Sequence, residues 1–494
     1  MNNILSKCQR LLFIPILVGL LGTVSCKEQS DNMLSVSVNK PVMRDFEAIR
    51  ESGVLRMITH YSSNTYFLQQ GIEWGFEYEL VKEFAEEHGL SLEVIIIGED
   101  NPYNLLNSGQ GDLIAANYAA TPERRQVVDF TVPYNLVNQI VVYSDDIKDP
   151  PQTIEALAQS DYSVTVRKNS SYYQRIVDFS SKDSALTVNL VPNLKDTEAL
   201  LFDVSRDEYP ATIADENMYR AATKYIDGLR RGPTISRNDS IAWAVRSNAP
   251  ELKKELNKYL KKHFKVSEEQ KPPERSLFLE ILRKRYFKGG RRLAGYYDPD
   301  ESLENDTHLS PYDKLIQEVA DSIGFDWLMI TSIIAQETKF NPVAKSWTGA
   351  LGLMQILPQY TSVADSMLYD ERINLQVGTH IIQRHLDHYA YMDSSSQWSF
   401  ALAAYNVGEG HLADARRLAM DQNKDPNSWE AVADALIKLM EPRYYREARH
   451  GFCRGIETVR YVREIKSRYE VYQSIIAMRG QGSDTASSIL GFFN

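Results

Sequence analysis

From Val54 onward, short runs of β-branched and apolar residues alternate with stretches whose apolar positions recur every three to four residues. A period near two marks strands and a period of 3.6 marks helices. The runs predict strands at 54–59, 92–98, 112–117, 140–143, 163–167, 188–191 and 211–214. The segment 78–88 predicts a helix ending at Gly89, with Leu80, Val81 and Phe84 on its apolar face. Strands alternating with helices indicate an α/β domain with a largely parallel sheet. After about residue 265 the strand signal ends, and the remainder predicts a mainly helical domain.

Within that second half, Asp326 is a good N-cap for a helix running to Glu337. Ile330, Ile333, Ile334 and Glu337 stand at i, i+3, i+4 and i+7, which places the Glu337 carboxyl on the apolar face. Burial there disfavours ionisation, and a carboxyl that keeps its proton near neutrality is suited to general acid work. Thr458, Tyr461, Val462 and Ile465 repeat the spacing, so Tyr461 is expected to face inward. Taken singly, a glutamate is more often exposed and a tyrosine more often plain core.

The chain has 494 residues, 43% hydrophobic and 24% charged, with a net charge of −11. This is globular material long enough for two or more domains, and no basic surplus draws it to nucleic acid. The apolar run 11–22 is too short to span a bilayer. It follows Lys7 and Arg10 and leads into Thr23-Val24-Ser25-Cys26, the layout of a secretory signal over 1–25. A cysteine after small residues resembles a bacterial lipobox, which implies lipidation of Cys26 and a tether over 26–45. Thr23 stands where that motif usually has Leu, and a soluble secreted protein is the alternative. With Cys8 removed and Cys26 acylated, Cys453 remains as a small buried hydrophobe and no intramolecular disulfide forms. A first domain over 46–265 is followed by a linker over 266–308. It holds Lys271-Pro272-Pro273, six basic and no acidic residues in 283–292, and an acidic stretch at 298–306. This linker is either a solvated connector or a surface that docks on lipid, glycan or a neighbouring domain.

Gly75-Phe76-Glu77-Tyr78-Glu79-Leu80, Gly111-Asp112-Leu113-Ile114-Ala115, 119–125 and Asp129-Phe130-Thr131-Val132-Pro133-Tyr134 occur in order. Together they resemble the family-three bacterial solute-binding proteins, two-lobed clamps for amino acids. The resemblance implies that Arg124 grips a ligand carboxylate and Asp215 pairs a ligand ammonium. Ala119 replaces the serine usual in that family.

The helical half over 309–494 carries Glu337-Thr338-Lys339-Phe340-Asn341-Pro342, Ser346, Gly349-Ala350 and Gly352-Leu353-Met354-Gln355. It also carries Ala404-Tyr405-Asn406-Val407-Gly408 and Glu457-Thr458-Val459-Arg460-Tyr461-Val462. These segments resemble the soluble-lytic-transglycosylase family, with a goose-type lysozyme fold. The resemblance implies that Glu337 is the catalytic acid and then base. Ser346, Met354, Gln355, Tyr405, Asn406 and Tyr461 would bind the peptidoglycan glycan strand. Thr338 stands where the family usually has Ser. The implied reaction cleaves the MurNAc-β-1,4-GlcNAc bond without water to leave 1,6-anhydro ends. It needs no metal or other cofactor, and His385 with His388 lacks a metal-site spacing. The first domain would bind an amino acid or a muropeptide-like ligand and regulate cleavage. The whole order implies an outer-membrane lipoprotein facing the periplasm, held to the membrane through its lipid anchor. Two rivals remain: a lipoprotein that grips glycan without cutting it, and a hydrolase with a second carboxylate.

Overall fold

The computed structural model describes residues 39–490 apart from 63, 70, 99, 169, 181–185, 193–194, 225, 267–271 and 289–307. The signal, Cys26, the tether up to residue 38, 289–292 of the basic run and the acidic stretch lie outside the described residues.

The first domain has two lobes, each built on a five-stranded sheet. In the first the order is Ser91–Ile96, Val54–Thr59, Leu113–Ile114, Ala244–Val245, Asp129–Phe130. The first three are parallel and the last two pair antiparallel. The second lobe runs Leu229–Ile241, Asn135–Ser144, Ala211–Asp215, Val164–Arg167, Val188–Val191. Asn135–Ser144 carries the chain out of the first lobe and Leu229–Ile241 brings it back. Each of the seven predicted strands is present.

The strand Leu229–Ile241 was not predicted, because Gly232-Pro233 and Asn238 look like turn residues. The structure accommodates them as irregularities: the pairing with Asn135–Ser144 shifts register three times, and Asn238 sits at φ 56°. Bulges of this kind keep a strand going where the sequence reads as a break.

Helix Phe76–Glu87 buries Phe76, Leu80, Val81 and Phe84 against the first sheet. It starts from Gly75, whose φ of 144° and approach to the Thr65 carbonyl leave no room for a Cβ. Asp112, buried just before strand Leu113–Ile114, accepts from Arg44 Nε at 3.0 Å, Arg56 Nη2 at 2.9 Å and Arg246 Nη2 at 3.1 Å.

The expected linker is partly core. Helix Leu277–Arg283 and the π-turn Lys284–Lys288 insert Leu279, Leu282, Tyr286 and Phe287 among the side chains of the first lobe. The basic run and Gly289-Gly290 that follow the helix read as a connector in the sequence. Of the alternatives, docking on a neighbouring domain is what this segment does.

The second domain is helical: Asp313–Ile323, Trp327–Thr338, Glu371–His388, Ser394–Val407, Glu409–Asp421, Trp429–Lys438 and Gly455–Leu490. Ile330, Ile333, Ile334, Leu353, Phe400, Leu412, Val462 and Ile465 share one core. The last helix packs on Trp327–Thr338, Ser394–Val407 and Trp429–Lys438, and also on strand Ser91–Ile96 of the first domain. At that junction Tyr66, Tyr78, Val94 and Ile96 meet Leu328, Val471, Tyr472 and Ile475. Arg463 Nη2 donates to Ser91 Oγ at 2.6 Å, and Arg468 lies 3.7 Å from Glu73. Gly71, in the turn between Phe67–Gln69 and Ile72–Trp74, lies so close to the Phe340 ring that a Cβ would stand 2.0 Å from it.

Candidate active site

Helix Trp327–Thr338 begins as expected, with the Asp326 side chain accepting from Leu328 N. Ile330, Ile333 and Ile334 are fully buried, and Glu337 follows on their face, half-buried, at the C-terminal end. Lys339 and Phe340 both adopt positive φ, 51° and 64°, so the chain turns sharply after Glu337. Thr338 Oγ1 donates to the Leu353 carbonyl at 2.9 Å, tying the helix end to the 349–355 loop. The hydroxyl that Thr shares with Ser is therefore in use.

Tyr461 faces inward, and its hydroxyl donates to Glu337 Oε1 at 2.6 Å. The Glu337 carboxyl is pushed up to about 7 by burial, the larger effect, while the Tyr461 hydrogen bond works in the opposite direction. Among the described residues, no second carboxylate contributes to that shift. Burial followed by the Glu337 charge holds the Tyr405 phenol well above its usual range. For Tyr461 the same causes are joined by Tyr405 and by the hydrogen bond to Glu337. Glu337 thus has two un-ionised phenols around it and is poised between proton donor and acceptor near neutrality.

The other expected glycan contacts divide by role. Tyr405 Oη donates to the Met354 carbonyl at 2.7 Å. The Met354 side chain departs from the expectation of a sugar contact: it is fully buried and wedged against Gly378. Its backbone carbonyl is the part that contacts Tyr405. Asn406 is exposed, and its Oδ1 accepts from Thr458 Oγ1 at 2.8 Å, one turn before Tyr461. Ser346 Oγ accepts from Ala350 N at 2.9 Å, and Gln355, at φ 50°, donates from Nε2 to the Gly352 carbonyl at 3.0 Å. These two hold the loop that faces Glu337.

Two residues escaped the sequence reading. Asn374 is fully buried; it donates to the Leu351 and Leu368 carbonyls at 2.9 and 2.7 Å and accepts from Met354 N at 2.8 Å. Only its burial reveals it, since an Asn within a helix carries no such signal. Trp347 is 89% exposed on the Ser346–Thr348 turn. A lone exposed indole beside a glycine-containing loop was the available clue.

In the first domain, Arg124 is buried, with its guanidinium 4.5 Å from the Tyr118 ring centre and Nη1 donating to the Ala119 carbonyl at 3.0 Å. Asp215 accepts from Asn117 Nδ2 at 2.8 Å, a bond that joins the two lobes. Burial raises Asp215 to about 6, and Asn117 and Tyr172 act the other way. His60 is brought down to about 3, first by burial and then by Arg167 and Arg124.

Residues 55–271 match the family model for bacterial extracellular solute-binding proteins, family 3, and residues 314–428 match the transglycosylase SLT domain. The membrane-bound lytic murein transglycosylase F of Desulfosudis oleivorans is 31% identical, covering 87% of this chain and 92% of that protein. The protein of the same name from Stutzerimonas stutzeri is 30% identical, covering 93% of this chain and 92% of its own length. Among solved structures, an ancestral amino acid-binding protein, a precursor of cyclohexadienyl dehydratase, is 23% identical with a TM-score of 0.41. That match covers 49% of this chain and 98% of that one.

Proposed function

The chain belongs to the membrane-bound lytic murein transglycosylase F family, and from that premise we propose that it cleaves peptidoglycan with Glu337 as its single acid and base. Protonated Glu337 gives its proton to the oxygen linking MurNAc to GlcNAc, and the C1–O bond breaks. The carboxylate then takes the proton of the same muramoyl 6-hydroxyl, whose oxygen closes on C1 and leaves a 1,6-anhydro end. Holding that hydroxyl beside C1 replaces water by an intramolecular nucleophile. Asn406 and Gln355 offer amides to the sugar hydroxyl and acetamido groups, and Trp347 offers a stacking face. Ser346 and the Met354 carbonyl position the loop and Tyr405.

The observation that carries this reading is the Glu337 carboxyl, held near 7 with the Tyr461 hydroxyl on one oxygen. Isolated peptidoglycan digested by the protein is expected to release muropeptides one water lighter than hydrolytic products, as judged by mass. Hydrated reducing ends alone would mean a hydrolase, and no product under any pH or candidate ligand would mean a glycan-binding lipoprotein.

The pH profile supplies a sharper test. The first step needs protonated Glu337, so the rate should fall as pH rises through about 7. Tyr461→Phe removes a hydrogen bond that favours the ionised form. Its falling limb should therefore move to higher pH, with a loss of about tenfold at the optimum.

For the first domain we propose a carboxylate-bearing amino acid or muropeptide fragment as ligand, held by Arg124 and Asp215 and modulating cleavage. Arg124 and Arg167 near His60 support a carboxylate group on the ligand, and the direct packing of the two domains supports modulation. Saturating ligand should change the cleavage rate, and Arg124→Met should remove both binding and response. A rate unchanged by any bound ligand would sink this regulatory role. Among the described residues no helix is long and apolar enough to cross a membrane. Lipidation of Cys26, and with it an outer-membrane position facing the periplasm, completes the proposal.

A further inference from the structure

A second constellation lies on the first lobe, among residues that the proposed chemistry does not use. Glu83 and Glu87 stand four residues apart on helix Phe76–Glu87, so their carboxylates share one face. His263 closes the neighbouring helix Pro250–His263 and is only 8% exposed. Its Nε2 is buried and has no hydrogen-bond partner. One ligand atom from each of the three residues lies within 4.8 Å of the others.

A buried imidazole nitrogen without a partner, on a ring set beside two carboxylates, is costly unless something else fills the site. We propose that Glu83, Glu87 and His263 form a site for a borderline-soft divalent transition-metal ion, with zinc as the expected occupant.

The surroundings prepare each ligand. His263 Nδ1 is 2.8 Å from Ser276 Oγ; with the proton on Nδ1 donated to that oxygen, Nε2 keeps its lone pair for a metal. Tyr259 and Phe278 pack against the ring at 4.6 and 5.4 Å between centres and fix its plane. Glu83 Oε2 accepts from Tyr259 Oη at 3.0 Å and Glu87 Oε2 accepts from Lys262 Nζ at 2.7 Å. Each carboxylate thus has its second oxygen available for a metal.

Two carboxylates and one imidazole, with water in a fourth position, make a three-protein-ligand set of the kind zinc accepts. The imidazole disfavours magnesium and calcium, which take oxygen ligands. Glu87 is exposed, which gives an ion its path in. The ion would join helix Phe76–Glu87 to the end of helix Pro250–His263.

The test uses the full chain, free of any histidine tag and stripped by chelator, titrated with zinc chloride by calorimetry. One equivalent should bind with a dissociation constant in the micromolar range or tighter, and its addition should raise the thermal midpoint by several degrees. X-ray absorption of the bound ion should show one imidazole among oxygen ligands. Glu83→Gln and His263→Ala should each weaken binding at least tenfold. Because His263 packs among aromatic rings, Glu87→Gln on the exposed side provides a substitution that leaves the core intact. No saturable binding in the native chain, or zinc binding unchanged by Glu83→Gln and Glu87→Gln, would overturn the proposal.

Discussion

Glu337→Gln is expected to reduce anhydro-muropeptide release by about 10³-fold or more while leaving the fold in place. The amide fills the same volume and still accepts from Tyr461, but it neither gives a proton to the glycosidic oxygen nor removes one from the 6-hydroxyl. Both halves of the proposed reaction fail together, so higher pH should not restore the rate. The same substitution should change stability with the opposite sign. A carboxyl raised to about 7 keeps its proton in the native state where the unfolded chain, near its ordinary value, has already released it. Native stability therefore declines as pH rises from about 4.5 to about 7, and the buried charge persists above that window. Glutamine has no charge to bury. The variant should match the parent near pH 4 and exceed it by roughly 1–3 kcal/mol at pH 8, read from denaturant midpoints. A variant that loses activity and also loses stability at pH 8 would assign Glu337 a structural role.

Asp112→Ala should produce the largest loss of stability in the first domain, about 3–5 kcal/mol. The carboxylate is buried among Arg44, Arg56 and Arg246, and the Arg246 side chain is itself completely buried. Burial alone would raise the Asp112 pKa; the hydrogen bonds and charges of Arg56 and Arg44 outweigh it and leave it lowered. Removing the carboxylate leaves guanidinium charge without its counterion in a site that water does not reach. Because the folded pKa is depressed, the carboxylate's contribution is present above the unfolded value near 4 and lost as pH falls through the folded one. A calorimetric transition for the first domain lowered by about 10 °C at pH 7, with the deficit shrinking in acid, would meet the expectation. A midpoint within a degree of the parent would refute it.

What the sequence made legible follows from how local each signal is. Helix Trp327–Thr338 could be read because its cap, its isoleucine spacing and Glu337 all lie within one twelve-residue segment. Tyr461 could be placed inward from its own helical period, but its partner, 124 residues away, could not be derived from spacing. Leu229–Ile241 was hidden by Gly232-Pro233 and Asn238, residues that break strands unless a neighbour absorbs the irregularity. Helix Leu277–Arg283 falls within the expected linker because the basic run and Gly289-Gly290 that follow it read as a connector. Met354 was expected at the sugar from the family resemblance of 352–355, which says nothing about which way a side chain points; in the structure that side chain is buried. Asn374 and the unpartnered nitrogen of His263 are properties of enclosure, and no one-dimensional pattern reports enclosure.

The helix Gly455–Leu490 presents Tyr461 to the acid and, eleven residues later, Tyr472 to the first domain. At 1.5 Å per residue these points are about 16 Å apart on one rod. A tilt of about 5° pivoting at Tyr472 would carry the Tyr461 hydroxyl by ~1.4 Å, enough to break a bond of normal hydrogen-bond length. The rod acts as a lever whose fulcrum belongs to one domain and whose tip belongs to the other. A small rocking of the first lobe would therefore reach the Tyr461–Glu337 contact through the helix, carrying its core neighbours Val462 and Ile465 with it.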